Sequence, residues 1–323
     1  MVDSFLPVCR VAAIDIGTVT CRMLVADVDA QGGMRELCRE YAIANLGEGV
    51  DATRRLKPQA IERVADIVKR YLAKLESLND AAHNPFSLKP RIVALATSAS
   101  RDAENAVDFT NRMRDLGIEV RVIPGELEAA LSFSGATAEF PGESAVVVDV
   151  GGGSTEVVAG QSGDAPALVK SFDIGCRRMT ERFLKTDIPT AAEIEAARTW
   201  IRDQMAPYFA ELHSHGFAGA RMVAVAGTAT TAVSIREAME TYDSSRVHKA
   251  RVTRGQLDNI ASRLGSQPLA TRRQTVGLDL DRAPVIVAGF LILQTIMDLL
   301  GVSEFTVSES DILQGIVLRV ANE

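Results

Sequence analysis

One short plan is written twice in this chain. Val11-Ala12-Ala13-Ile14-Asp15-Ile16-Gly17-Thr18 and Val146-Val147-Val148-Asp149-Val150-Gly151-Gly152-Gly153-Ser154-Thr155 each run an apolar strand into an Asp-X-Gly turn that carries hydroxyls. In each copy the strand buries its Val, Ile and Ala side chains, while the turn exposes backbone N–H groups that no ladder satisfies and that can cradle a phosphate. Glycine lets the backbone approach an anion, Ser or Thr adds a hydroxyl, and Asp at the strand end can hold a divalent cation against phosphate oxygens. One such turn alone is commonly just the end of a strand. Two copies, with a third and weaker turn at Val225-Ala226-Gly227-Thr228-Ala229-Thr230, point to two related phosphate-handling halves.

Length agrees, because 323 residues suit two domains with substantial cores. Hydrophobic residues at 47% and charged residues at 24% describe an ordinary soluble globular chain. A net charge of −7 argues against broad binding to nucleic acid or anionic membranes, so a polyanionic ligand would need a local basic groove. Cys9, Cys21, Cys38 and Cys176 are scattered with no Cys-X-X-Cys pair and read as reduced thiols, in neither a disulfide framework nor a zinc site. The first ten residues lack a basic start followed by a long apolar stretch, so no signal peptide is expected. The longest apolar stretch, 283–293, is too short to span a bilayer and reads as a buried helix. The expectation is a cytoplasmic protein.

Periodicity gives an α/β layout. Strands are expected at 10–15, 20–29, 34–44, 91–96, 118–123, 145–150, 154–160, 166–174 and 221–226. Helices are expected at 58–78, 102–115, 126–139 and 311–322, with mostly helical structure after 226. The first of these has Pro58 near its start and Ile61, Val64, Ile67, Val68, Tyr71, Leu72 and Leu75 at helical spacing.

Several side chains between and after the turns have chemistry to offer. Thr97-Ser98-Ala99-Ser100-Arg101 follows a buried strand. It reads either as a helix start with Ser98 or Ser100 capping and Arg101 exposed, or as a place where Arg101 grips phosphate with its planar fork. Gly125-Glu126-Leu127-Glu128 sets two carboxylates at a strand-to-helix junction, where acids complement the helix dipole; the neighbouring motifs single out Glu128. Glu156 adds a carboxylate near Asp149. His213-Ser214-His215 reads as an exposed helix end before Gly216 rather than a metal site. Arg22, Arg101, Arg177, Arg178, Arg272 and Arg273 could form a basic track, although Arg272 and Arg273 read rather as solvated surface charge.

The succession Ala-Ile-Asp-Ile-Gly-Thr, Thr-Ser-Ala-Ser-Arg, Ile-Pro-Gly-Glu-Leu-Glu-Ala, Val-Asp-Val-Gly-Gly-Gly-Ser-Thr-Glu and Ala-Gly-Thr-Ala-Thr runs from Val11 nearly to the end of the chain. It resembles the exopolyphosphatase and guanosine pentaphosphate phosphohydrolase family in its short, two-domain actinobacterial form, within the actin, sugar kinase and Hsp70 superfamily. The resemblance implies an α/β fold of two actin-like (ribonuclease H-like) domains with an interdomain cleft, divided as 1–124 plus 309–323 and 125–308. Carried over by position, it implies Glu128 as general base and Arg101 as a phosphate-binding arginine. Asp149 and Glu156 match metal-associated carboxylates, with Asp15 as a further metal candidate, for Mg²⁺ or Mn²⁺. Gly17, Thr18, Arg22, Gly151, Gly152, Gly153, Ser154, Thr155, Arg178, Gly227 and Thr228 are the implied phosphate contacts.

The implied reaction is removal of terminal phosphate from linear inorganic polyphosphate, with short chains preferred. Guanosine pentaphosphate is the alternative substrate. A kinase of the same superfamily is more distant, because Glu128 and the Gly-Gly-Gly-Ser-Thr-Glu block suit activation of water. A homodimer with no nucleic-acid or membrane partner is expected. Two positions depart from the family pattern: Val19 stands where Asn is common, and Leu313 where many members carry Arg. No His is followed by Asp, so the helical His-Asp domain of longer members is not expected here.

Overall fold

The computed structural model describes residues 5–80, 84–321 and 323. They form two compact units, one made of the described residues of Met1–Pro124 with Ile312–Glu323, the other of Gly125–Asp311.

The first unit opens with β1 (Pro7–Ile16), β2 (Thr20–Asp29) and β3 (Met34–Ile43), then α1 (Val50–Thr53), α2 (Pro58–Ser77), β4 (Pro90–Ala96), α3 (Ser98–Asp102), α4 (Ala106–Arg114) and β5 (Val120–Val122). Its sheet has the order β3-β2-β1-β4-β5. β1 is antiparallel to β2 and parallel to β4, so the Asp15 end of β1 lies beside the end of β4, with Ile16 opposite Ala96. The apolar stripe of α2, including Ile61, Val64, Val68 and Leu75, packs with Ile14, Ile16, Met23 and Val25 of the sheet. Tyr71 adds a hydrogen bond from its hydroxyl to the Cys21 carbonyl at 2.7 Å.

The second unit runs α5 (Gly125–Thr137), β6 (Ser144–Val150), β7 (Thr155–Gln161), β8 (Leu168–Phe172), α6 (Cys176–Phe183), α7 (Ala191–Ser214), β9 (Arg221–Val225), α8 (Ala226–Arg236), α9 (Ser244–Val247), β10 (Arg251–Thr253), α10 (Arg254–Gly265), α11 (Leu269–Arg272), α12 (Ile286–Leu300) and β11 (Glu304–Val307). Its sheet order is β10-β11-β9-β6-β7-β8. α7 starts on a reciprocal capping box between Thr190 and Glu193, and α12 is buried nearly all round. The final helix, α13 (Ile312–Ala321), returns to the first unit and packs on β1 and β2. Outward from the strand that bears the motif, β3-β2-β1-β4 and β8-β7-β6-β9 have the same directions: two successive antiparallel pairings on one side, a parallel one on the other. The sequence repeat is therefore a repeat of topology.

Several expectations need correction. The helix expected over 102–115 is the shorter α4, preceded by a separate short helix, α3, that ends at Asp102. The chain breaks between them because the Asn105 amide bonds both the N–H and the carbonyl of Leu56, at 2.8 and 3.1 Å. Neither Ser98 nor Ser100 caps α3. Thr97 is the N-cap residue and makes no side-chain cap, and both serine hydroxyls are buried without a partner among the described residues. The third turn is not a loop: β9 passes directly into α8 through Ala226, held at φ +60°, so Gly227 and Thr228 lie in the first turn of a helix. Arg272 is not solvated surface charge. It is 3% exposed, and its guanidinium donates to the carbonyls of Leu264, Gln267, Ala283 and Asp187. Burial pushes its pKa down. Arg273 is exposed, and His213 and His215 do sit at the exposed end of α7 before Gly216.

Candidate active site

The two motif turns are closed by the same hydrogen bond. In the first unit the Gly17 amide donates to the Thr20 carbonyl at 2.8 Å; in the second the Gly151 amide donates to the Ser154 carbonyl at 3.0 Å. These two amides are therefore spent on the turn itself, and any anion would have to meet the amides of the residues that follow. In the second unit the carbonyls of Gly151 and Gly152 accept the amides of Cys176, Arg177 and Arg178 at the start of α6, between 2.9 and 3.2 Å. The Gly153 carbonyl accepts Nε of Arg178 at 2.8 Å. With every loop carbonyl tied back in this way, the amides of Gly152, Gly153 and Ser154 make no hydrogen bond among the described residues, although all three residues are buried. Buried, unpaired N–H groups in succession form an anion nest.

Close packing makes this possible. A Cβ on Gly175 would overlap the Gly152–Gly153 backbone, so only glycine lets α6 come near enough to collect the loop carbonyls. The first unit repeats the arrangement with different partners: the Thr18 carbonyl accepts Gly47 N–H at 2.9 Å, and the Val19 carbonyl accepts the amides of Ala44 and Asn45. The amides of Thr18 and Val19 are left without partners among the described residues. Val19 is 3% exposed and contributes packing and backbone only.

Two hydroxyls expected on phosphate are committed elsewhere. Thr155 is fully buried and donates to the Ile174 carbonyl, and Thr228, also fully buried, donates to the Val150 carbonyl at 2.8 Å. Both brace the loop from behind.

The carboxylates cluster at the end of β6. Asp149 and Glu156 are direct cross-strand partners in the β6–β7 register, on one face, and are 8% and 1% exposed. Each holds one serine hydroxyl: Ser132 Oγ of α5 donates to Asp149 at 3.2 Å, and Ser171 Oγ of β8 donates to Glu156 at 2.7 Å. Glu128 lies in the first turn of α5, 8% exposed, one helical turn before Ser132. Two buried like charges in direct opposition are unfavourable unless a cation joins them. Among the described residues no three His, Cys, Asp or Glu side chains form a set that could hold a metal unaided. The pair fits Mg²⁺ or Mn²⁺ shared with a ligand, since such ions take one or two carboxylates and complete their shell with water and phosphate oxygens. Asp15 is differently engaged. It belongs to the first unit, where Arg22 opposes it and forms an ion pair at 2.7 Å.

Among the arginines, Arg178 is anchored on the Gly153 carbonyl as above, and half-buried Arg101 reaches the Ile123 carbonyl at 2.9 Å. One residue escaped the sequence reading. Arg282 is 5% exposed, and its guanidinium lies so close to Gly227 that a Cβ there would overlap it. It stands in the helical turn at Asp281-Arg282 with no motif around it, so only the glycine that accommodates it gave a signal, and that glycine was read as a phosphate contact.

The description "Ppx/GppA phosphatase family" matches residues 24–323. The chain belongs to this family. It is 38% identical to exopolyphosphatase 2 of Mycobacterium tuberculosis over 97% of this chain and 98% of that protein. It is 26% identical to the guanosine-5'-triphosphate,3'-diphosphate pyrophosphatase of Photobacterium profundum over 97% of this chain and 59% of the relative. The crystal structure of the Aquifex aeolicus Ppx/GppA family member superposes with a TM-score of 0.77 at 28% identity, covering 97% of this chain and 98% of that one. The fold is thus the actin-like α/β fold of the Ppx/GppA family. Membership makes the chain a phosphoanhydride hydrolase. No described helix is long and apolar enough to cross a membrane.

Proposed function

We propose that the chain is an exopolyphosphatase that releases terminal orthophosphate from linear inorganic polyphosphate. The observation that supports this most is the run of unpaired buried amides at Gly152, Gly153 and Ser154 beside the Asp149–Glu156 pair. Such a site answers the needs of phosphoryl transfer, which asks for neutralised charge, in-line placement and a proton acceptor, with little covalent help. Glu128 orients the attacking water and takes its proton. The loop amides and Arg178 bind the phosphoryl oxygens; within the first unit, Arg101, Arg22 and the Gly17–Thr18 turn are candidate phosphate contacts of their own. Asp149 and Glu156 are the residues that would hold Mg²⁺ or Mn²⁺, whose contribution there is to offset phosphate charge. Asp15, already paired with Arg22, is left out of the metal set. Short chains are the expected substrates, because the phosphate contacts named here come from a few short segments.

The relation to the Photobacterium profundum protein favours a second reading, in which guanosine pentaphosphate is the substrate. Phosphate release from polyphosphates of several lengths and from guanosine pentaphosphate, with and without a chelator, tests both. Higher kcat/KM on the nucleotide than on every polyphosphate overturns the first reading, and full activity in chelator overturns the metal assignment.

A further inference from the structure

Ser132 occupies a place where packing alone would favour alanine. It lies within α5, is 0% exposed, and faces β6. A serine inside a helix commonly returns its hydroxyl to the carbonyl one turn earlier, which here belongs to Glu128. Instead the hydroxyl crosses to the sheet and donates to Asp149 Oδ2 at 3.2 Å. Ser132 and Glu128 are four residues apart and so share one face of α5. That one hydroxyl therefore joins the helix bearing the proposed base to the strand bearing the proposed metal carboxylate.

We infer that Ser132 is a positioning residue: it fixes the rotation of the Asp149 carboxylate and, through the same hydrogen bond, ties the placement of Glu128 to occupation of the cation site. The inference rests on the reading of Glu128 and Asp149 given above. A carboxylate held at one oxygen by a buried donor presents the other in a single direction, as outer partners do around metal ligands. Glu156, the opposing carboxylate, has its own holder in Ser171, which comes from a strand. The Ser132 bond runs to the element that carries the base, so its loss should disturb chemistry as well as cation binding.

The test compares Ser132→Ala, Ser132→Cys and Asp149→Asn in the full chain. Cysteine keeps the volume of serine but donates weakly, which separates hydrogen bonding from packing. Mn²⁺ binding is read by calorimetry without substrate, and kcat and KM with polyphosphate at saturating Mg²⁺. Both Ser132 variants are expected to weaken Mn²⁺ binding by about tenfold, the usual scale for loss of an outer partner, and to lower kcat with KM changed less than about twofold. Wild-type Mn²⁺ affinity and kcat in both variants overturn the inference, as does a defect in Ser132→Ala that Ser132→Cys restores. Asp149→Asn separates the two levels: if it binds Mn²⁺ as tightly as wild type, the metal reading itself fails; if it alone loses Mn²⁺, only the role of Ser132 falls.

Discussion

Asp149 faces Glu156 across the β6–β7 pair at the position where the first copy of the motif sets Asp15 facing Arg22. The same slot in two copies of one hairpin holds an internally neutralised pair in one unit and two negative charges in the other. Copy one carries a guanidinium in that slot; copy two carries a second carboxylate. Glu156→Gln keeps the size of the side chain and removes one of the opposed charges. Without metal it should melt a few degrees higher, since relief of a directly opposed like-charge pair is worth up to about 1 kcal/mol. It should also bind Mn²⁺ more weakly. Calorimetry in chelator and then in Mn²⁺ checks both, and a lower melting temperature in chelator would contradict the account.

Glu128→Gln removes the proton acceptor while leaving the shape of the α5 start intact. Turnover of polyphosphate should fall about a hundredfold or more with binding retained. Phosphate release and equilibrium binding on the same preparation decide the matter, and near-normal turnover removes Glu128 from the mechanism.

Gly175→Ala would drive a methyl into the Gly152–Gly153 backbone, which cannot move without breaking the bonds from Cys176 and Arg177. A loss of about 1–3 kcal/mol of stability is expected, the scale of forced overpacking, together with a raised KM. Denaturant titration and steady-state kinetics should show both effects. A raised KM without destabilisation would point to a direct ligand contact at Gly175.

Arg272→Met tests the opposite kind of arginine. Its four carbonyl partners are Leu264 and Gln267 at and after the end of α10, Ala283 before α12 and Asp187 between α6 and α7, so removing the guanidinium leaves these acceptors unpaired, at about 1–3 kcal/mol each before relaxation. The midpoint in urea should drop while kcat/KM on polyphosphate stays unchanged. A change in kcat/KM with normal stability would return Arg272 to the substrate track.

Acid should weaken the second unit through Glu139, which follows α5. Burial acts to raise its pKa, but hydrogen bonds from Lys249, His248 and Ser310 outweigh burial and hold it at about 2, against an ordinary 4.5. A carboxyl depressed by folding adds stability that is complete above its unfolded pKa and is lost as pH falls through the folded one. The contribution should therefore fade between about pH 4.5 and pH 2, and Glu139→Gln should flatten the stability profile in that window. Thermal unfolding followed through the window tests this, and identical profiles for the two proteins would rule it out.

The repeated hairpin was legible because each part of it is local: an apolar run, a turn glycine, a second apolar run. α2 was legible because its stripe keeps helical period over five turns. β10 and β11 were not, since Arg251–Thr253 and Glu304–Val307 are too short to show alternation and owe their state to pairing with one another and with β9. The same limit governs the site. Glycines and acids announce themselves by position, but that Thr155 and Thr228 spend their hydroxyls on carbonyls, that Arg272 is interior, and that Arg282 presses on Gly227 depend on residues distant in sequence. Side-chain type told which groups could meet an anion; only tertiary packing told which were still available to do so.

The return of α13 to β1 and β2 sets an order of events during synthesis. The first sheet is translated early, yet the helix that covers part of it is made only after all of Gly125–Asp311. The unit encoded in the middle can complete its core while the unit that begins the chain still waits for its last helix, a reversal of the usual N-terminal-first sequence. Until then β1 and β2, the strands that lead to the Gly17–Thr18 turn, keep an apolar face uncovered, so a nascent chain stalled before Ile312 should present chaperones with the first-made unit and not the second.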